Sequence, residues 1–112
     1  MSLAKYQKTQ ATTNPRQAEY RLFAEVTRAL IAIKDGPRDS EFHKAVHWNL
    51  RMWLAFQEDL SSPDNKLPDE IKAGIISLSI WVEKETFKIL KGETKADDMI
   101  EINRTIMAGL AD

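Results

Sequence analysis

The sequence predicts an all-α fold: a small antiparallel bundle of four main helices, with room for a short N-terminal helix after Ser2. Three observations carry that expectation. Apolar residues recur at spacings of three and four, and no stretch alternates with the period of two that a strand needs. Helix-stopping residues cut the chain into four segments of helical length. The chain has 112 residues with 43% hydrophobic content, which fits one domain (residues 1–112) with a real core.

The first helix is expected to open at Asn14-Pro15, an N-cap followed by proline at the first helical position, and to run to about Lys34 before Gly36-Pro37. Its apolar stripe reads Leu22, Val26, Ala29, Leu30 and Ile33, with Arg21, Glu25 and Arg28 opposite. Asp39 or Ser40 caps the second helix, which runs to about Leu60 before Ser61-Ser62-Pro63. Phe42, Val46, Asn49, Trp53, Phe56 and Leu60 form its seam. Pro68-Asp69-Glu70 opens the third helix, with two carboxylates at its positive end, and Gly92 closes it. Thr94 with Asp97 resembles a capping box for the fourth, whose stripe is Met99, Ile102, Ile106 and Leu110, and which frays near Gly109. Core positions are expected at Trp53, Phe56, Leu78, Val82 and Ile106.

The third helix breaks the pattern of one apolar face. Ile71, Ile75, Leu78, Val82 and Ile89 make an inward stripe, while Ile76, Ile80 and Phe87 make a second one nearly opposite. Two readings fit: a central helix packed on both sides, or a surface that another protein covers. Trp48 poses the same choice. It precedes Trp53 by five positions, about 500° of rotation at roughly 100° per residue, so the two indoles cannot share a face. Trp48 therefore sits at the shoulder of the seam, with Met52 on its side, as a wedge between helices or as an anchor for a partner. Arg51 and Arg104 are solvated charges by default, and an arginine beside apolar surface also suits a partner's carboxylate.

Within the seams, Asn49 and Asn103 are inward amides, and two facing asparagines could satisfy each other while fixing helix register.

No catalytic constellation is present. Cysteine is absent, which removes disulfides, thiolate metal sites and a cysteine nucleophile. His43 and His47 have the spacing of a metal-binding pair, but the glutamate between them and a third ligand are missing. No phosphate-cradling glycine loop or GxSxG turn occurs, so neither an enzyme nor a cofactor is expected. Sixteen Lys and Arg against 17 Asp and Glu give a net charge of −1, too little to draw in nucleic acid. Arg16, Arg21 and Arg28 lie on nearby turns with Glu19 and Glu25 interleaved. No signal peptide or membrane-length apolar run is found, so a cytoplasmic location without a membrane partner is expected. Surplus apolar helix surface and no chemistry point to a protein that binds another protein.

The segments "NPRQAEYRLFAEVTRAL", "WNLRMW", "GIISLSIWV" and "INRTIMAGL", with the opening "MSLAKYQ", resemble the FlaF family of alphaproteobacterial flagellar regulators. The resemblance covers nearly the whole chain in matching order and is poorest over residues 35–44 and 58–67. It implies a small cytoplasmic factor that promotes flagellin synthesis and filament assembly, has no catalytic residues, and binds flagellin as an export chaperone. The alternative it implies is post-transcriptional regulation of flagellin mRNA, directly or through FlbT. The expected partners are thus flagellin and FlbT, with direct nucleic-acid binding disfavoured by the charge. The expected partner-binding residues are Trp48, Arg51, Ile76, Ile80, Phe87 and Arg104.

Overall fold

In a computed structural model, residues 15–111 are described, apart from the Pro15 side chain. The Asn14 cap and the expected short helix after Ser2 lie outside the described residues. Four helices fill the rest: α1 (Pro15–Ile33), α2 (Ser40–Ser61), α3 (Asp69–Leu90) and α4 (Asp97–Leu110). No strand occurs among the described residues.

Local chemistry sets most of the boundaries. Asp39 caps α2, its carboxylate accepting from the Phe42 backbone N–H at 3.1 Å. Ser62 ends α2 in an extended conformation just before Pro63. At the end of α3, Gly92 adopts φ +79°; its N–H donates to Ile89 O at 3.1 Å, and Glu93 N–H donates to Lys88 O at 2.9 Å. That pair of bonds is a Schellman closure, and it requires the left-handed region that glycine enters freely. Arg38 secures the same corner, donating to Leu90 O and lying 4.8 Å from the centre of the Phe42 ring.

The start of α4 differs from expectation. Its N-cap position is Ala96, without a side-chain cap bond, so the Thr94–Asp97 capping box does not form. Asp97 instead joins an ion pair with Lys34 at 3.0 Å, and Lys34 also reaches Asp35 at 3.2 Å. The carboxylates of Asp97 and Asp98 still favour the positive end of the helix.

α1 packs on α2 and on α4, and α3 packs chiefly on α2. The neighbours are antiparallel. Phe23 of α1 meets Trp53 and Phe56 of α2, whereas Ile33 lies near Ala45. Arg38, just before α2, bonds Leu90 at the end of α3. Lys34 at the end of α1 pairs with Asp97 at the start of α4.

The core is an aromatic triad set among aliphatics from all four helices. Trp53 is 1% exposed, and the rings of Phe23 and Trp53 lie edge-to-face at 5.5 Å. Phe56 completes the triad at 5.6 Å from Phe23 and 6.1 Å from Trp53. Val26, Leu30, Val46, Met52, Val82, Ile89, Met99 and Ile100 are buried around it. Of the expected core positions, Trp53 and Val82 are fully buried, and Phe56, Leu78 and Ile106 are partly buried against the cluster.

Three expectations about inward faces need correction. In α1 the buried face is Phe23, Val26, Thr27 and Leu30, and Leu22 is 39% exposed. Val26 and Leu30 are buried as expected and Ala29 and Ile33 pack against the core, but the face takes in Phe23 and Thr27 in place of Leu22, because the triad draws Phe23 inward. Met52, placed beside Trp48 at the shoulder of the seam, is buried in the core. Ile71 lies on the inward stripe of α3 yet is 49% exposed, because α4 and the loop after α2 leave a groove open above it.

Polar groups inside the fold are mostly paired. Trp53 Nε1 donates to Asn103 Oδ1 at 2.9 Å, and Asn103 Nδ2 donates to Asn49 Oδ1 at 2.8 Å. The two inward amides therefore face each other as expected, and the indole extends the chain of bonds from α2 to α4. On α3, Thr86 Oγ1 donates to Val82 O at 2.7 Å and Ser79 Oγ to Ile76 O at 2.6 Å. These back-bonds let small polar residues occupy the inward face without orphan hydroxyls. Thr27 Oγ1 is a buried hydroxyl without a hydrogen-bond partner.

Candidate functional site

Uncovered apolar surface is the feature that could act on another molecule, and α3 supplies most of it. Because α3 packs chiefly on α2, its opposite side faces outward. Ile80 lies about 180° around the helix from the buried Ile89 at ~100° per residue, and Phe87 about 160°. Phe87 is 58% exposed, Ile80 is 45% exposed, and Ile76 is half-buried. Among the described residues the second stripe is thus surface, and α3 is a flanking helix rather than the bundle's centre.

Trp48 and Arg51 lie together elsewhere. They line a cleft of about 600 Å3 with Ala29, Ala32 and Ile33 of α1 and with Glu41, Lys44 and Ala45 of α2. None of the lining comes from α3, so the indole is a wedge between α1 and α2, half-buried against the core. Arg104 is exposed on α4, where its guanidinium pairs with Glu101 at 3.0 Å. The six expected binding residues therefore fall into three groups: Ile76, Ile80 and Phe87 on α3, Trp48 with Arg51 in the α1–α2 cleft, and Arg104 paired on α4.

A larger groove, about 750 Å3, lies at the end of the molecule where the α2–α3 loop turns. Phe56 of α2, Ile71 and Ile75 of α3, and Ile106, Gly109 and Leu110 of α4 give it apolar walls. Glu19 of α1 and Asp59 of α2 stand on its rim with Arg16 and Lys66. Burial pushes the Glu19 carboxyl above its ordinary value; the charge of Asp59 raises it further and Arg16 opposes both. Asn65 builds the end wall: its Nδ2 donates to Asp59 Oδ2 at 3.2 Å, and its Oδ1 accepts from Leu67 N–H at 3.0 Å. Its backbone carbonyl accepts from Lys72 Nζ at 2.6 Å, which ties the loop to α3.

This groove was not foreseen from the sequence. It arises where the inward stripes of α3 and α4 run past each other's cover, a tertiary effect that helical spacing does not report. The apolar residues at helix ends remote from the α3–α4 turn, Ile71 and Leu110, were the available signal.

His43 and His47 are both exposed. Among the described residues no group of three or more His, Asp or Glu side chains is placed to hold a metal ion. No helix among them is long and apolar enough to cross a membrane.

Residues 2–110 match the family model of flagellar protein FlaF. The chain belongs to the FlaF family. No curated protein and no solved structure matches it. The FlaF match spans all four helices, so the outward face of α3, the α1–α2 cleft and the groove all lie inside the family's region.

Proposed function

We propose that this FlaF-family chain regulates flagellum assembly without catalysis, by binding flagellin in the cytoplasm as an export chaperone. The outward stripe of α3 carries the reading: Ile80 and Phe87 are large, exposed and aligned on a helix whose other side already anchors it to α2. Apolar side chains recurring along one helix face are what an amphipathic partner helix packs against. Flagellin, as the FlaF resemblance implies, has apolar terminal segments that need masking before assembly. Such a segment lying along α3 would extend the packing that α2 provides on the other side. Trp48 with Arg51, and Arg104, are secondary contacts in this proposal because they stand apart from the stripe. A post-transcriptional effect, with or without FlbT, would follow from how much of the chaperone is free of flagellin.

Co-purification of the protein with flagellin, with and without added RNase, tests this. The expected result is a complex that survives RNase. Loss of the complex on RNase treatment, or a salt-dependent low-micromolar shift of the flagellin leader RNA by the pure protein, would replace the chaperone reading with an RNA-binding one.

A further inference from the structure

We propose that the groove between α3 and α4 is a second docking site, taking the apolar side chains of one or two turns of a partner helix that carries a lysine or arginine beside them. This rests on the flagellin reading and adds to it a second point of attachment and the chemistry of the segment that fits there. Three features of the groove support it.

The first is size and lining. A volume of about 750 Å3 is that of a pocket for a small molecule, roughly 300–1,000 Å3, so it has room for a few side chains from a turn or two and not for a whole helix. Its floor and walls continue the core: Ile75 belongs to the same inward stripe of α3 as Val82 and Ile89, and Ile106 to the stripe of α4 that includes Met99. An apolar occupant would complete a stripe that the described helices leave open.

The second is charge. Glu19 and Asp59 line the same groove, where burial raises the Glu19 carboxyl and the Asp59 charge raises it further. Arg16 offsets part of this, and the exposed Lys66 lies on the same rim. A cation brought by the partner would relieve the remaining repulsion between the two carboxylates, so a basic residue is favoured there over an acidic one.

The third is Gly109. Its φ is not in the positive region, and a Cβ built there would meet nothing within 4 Å. Among the described residues neither the backbone nor packing calls for glycine, which weakens a helix relative to alanine. What its missing side chain does is leave space in the groove wall. Gly109→Leu would fill that space while favouring the helix, so it separates occupancy of the groove from folding.

The experiment measures flagellin affinity for the full chain and for Gly109→Leu, Ile71→Asp and Glu19→Lys, with melting temperature recorded for each. Ile71 is already about half exposed, so a charge there is compatible with folding. Gly109→Leu and Ile71→Asp are expected to weaken binding at least tenfold with melting temperature held or raised, and Glu19→Lys to weaken it several-fold. If the wild-type chain binds flagellin and both groove variants bind it equally well, the groove proposal is overturned and the flagellin reading stands. If the wild-type chain does not bind flagellin, both fall. If Gly109→Leu instead dissolves a homodimer and leaves flagellin binding intact, the occupant is a second copy and the proposal is overturned.

Discussion

α2 and α3 are both 22 residues long and lie side by side, yet they are used differently. α2 fully buries Phe42, Ala45, Val46, Met52, Trp53 and Leu60, whereas the only apolar residues α3 fully buries are Val82 and Ile89. The remaining buried residues of α3 are Ser79, Glu85 and Thr86, small or polar groups on its inward face. Its large side chains Ile80 and Phe87 point away, and Ile71 faces the groove. The difference follows from neighbours. α2 is packed by α1 on one side and α3 on another and supplies the indole bonded to α4, while α3 leans chiefly on α2. A helix that carries apolar residues all round but is covered on one side among the described residues presents apolar surface that a partner can bury.

If this contrast is right, stability should reside in α2 and its bonds to α4. Trp53→Ala is expected to cost about 3–5 kcal/mol, seen as a large fall in the denaturant midpoint, because it empties the centre of the aromatic triad. Asn103→Ala comes next, on the order of 3 kcal/mol. It leaves both Trp53 Nε1 and Asn49 Oδ1 without their partners in a buried site, each such loss costing about 1–3 kcal/mol. Thr27→Val should act in the opposite direction and raise stability by about 1 kcal/mol, since it removes a buried hydroxyl that has no partner. A thermal melt that falls instead would mean that the hydroxyl is satisfied in solution.

The smallest effect belongs to the groove rim. Burial raises the folded-state value of Glu19 above its ordinary 4.5, so its contribution to stability is full below the unfolded value and is lost as pH rises through the folded one. As pH rises above about 4.5 this group should therefore make the protein slightly less stable, until its carboxyl is ionised in the folded chain as well. Glu19→Gln should flatten that slope in a series of melts and leave the rest of the pH profile unchanged.

Much of the fold was legible in the chain because local chemistry dictates it. Asp39, Pro63, Pro68 and Gly92 mark helix ends by backbone rules that hold without tertiary context, and the seam of α2 is a strict three-four repeat. The pairing of Asn49 with Asn103 was readable too, since an amide inside an apolar seam has few other partners. The residue that opens the buried face of α1 was not. Leu22 and Phe23 both fit a three-four repeat through Val26, and only the edge-to-face contacts with Trp53 and Phe56 decide between them. The missing cap at Thr94 and the position of Trp48 between α1 and α2 are tertiary outcomes of the same kind. For the candidate surfaces, spacing alone identified the second stripe of α3 but left open whether it was core or surface. That depended on which helices cover α3, and the groove depended on where the covering ends.

The outward face of α3 is proposed to bind a partner, with its exposed Ile80 contributing little to the fold. Ile80→Asp tests it most directly, with the melting temperature and the flagellin affinity measured on the same preparation. The expected result is a melting temperature within the range of an ordinary surface substitution, about ±0.5 kcal/mol in stability, together with a loss of flagellin affinity of roughly thirtyfold, or about 2 kcal/mol. A domain that unfolds on this substitution would place Ile80 in the core, and one that stays folded and binds flagellin undiminished would remove the α3 face as the binding surface.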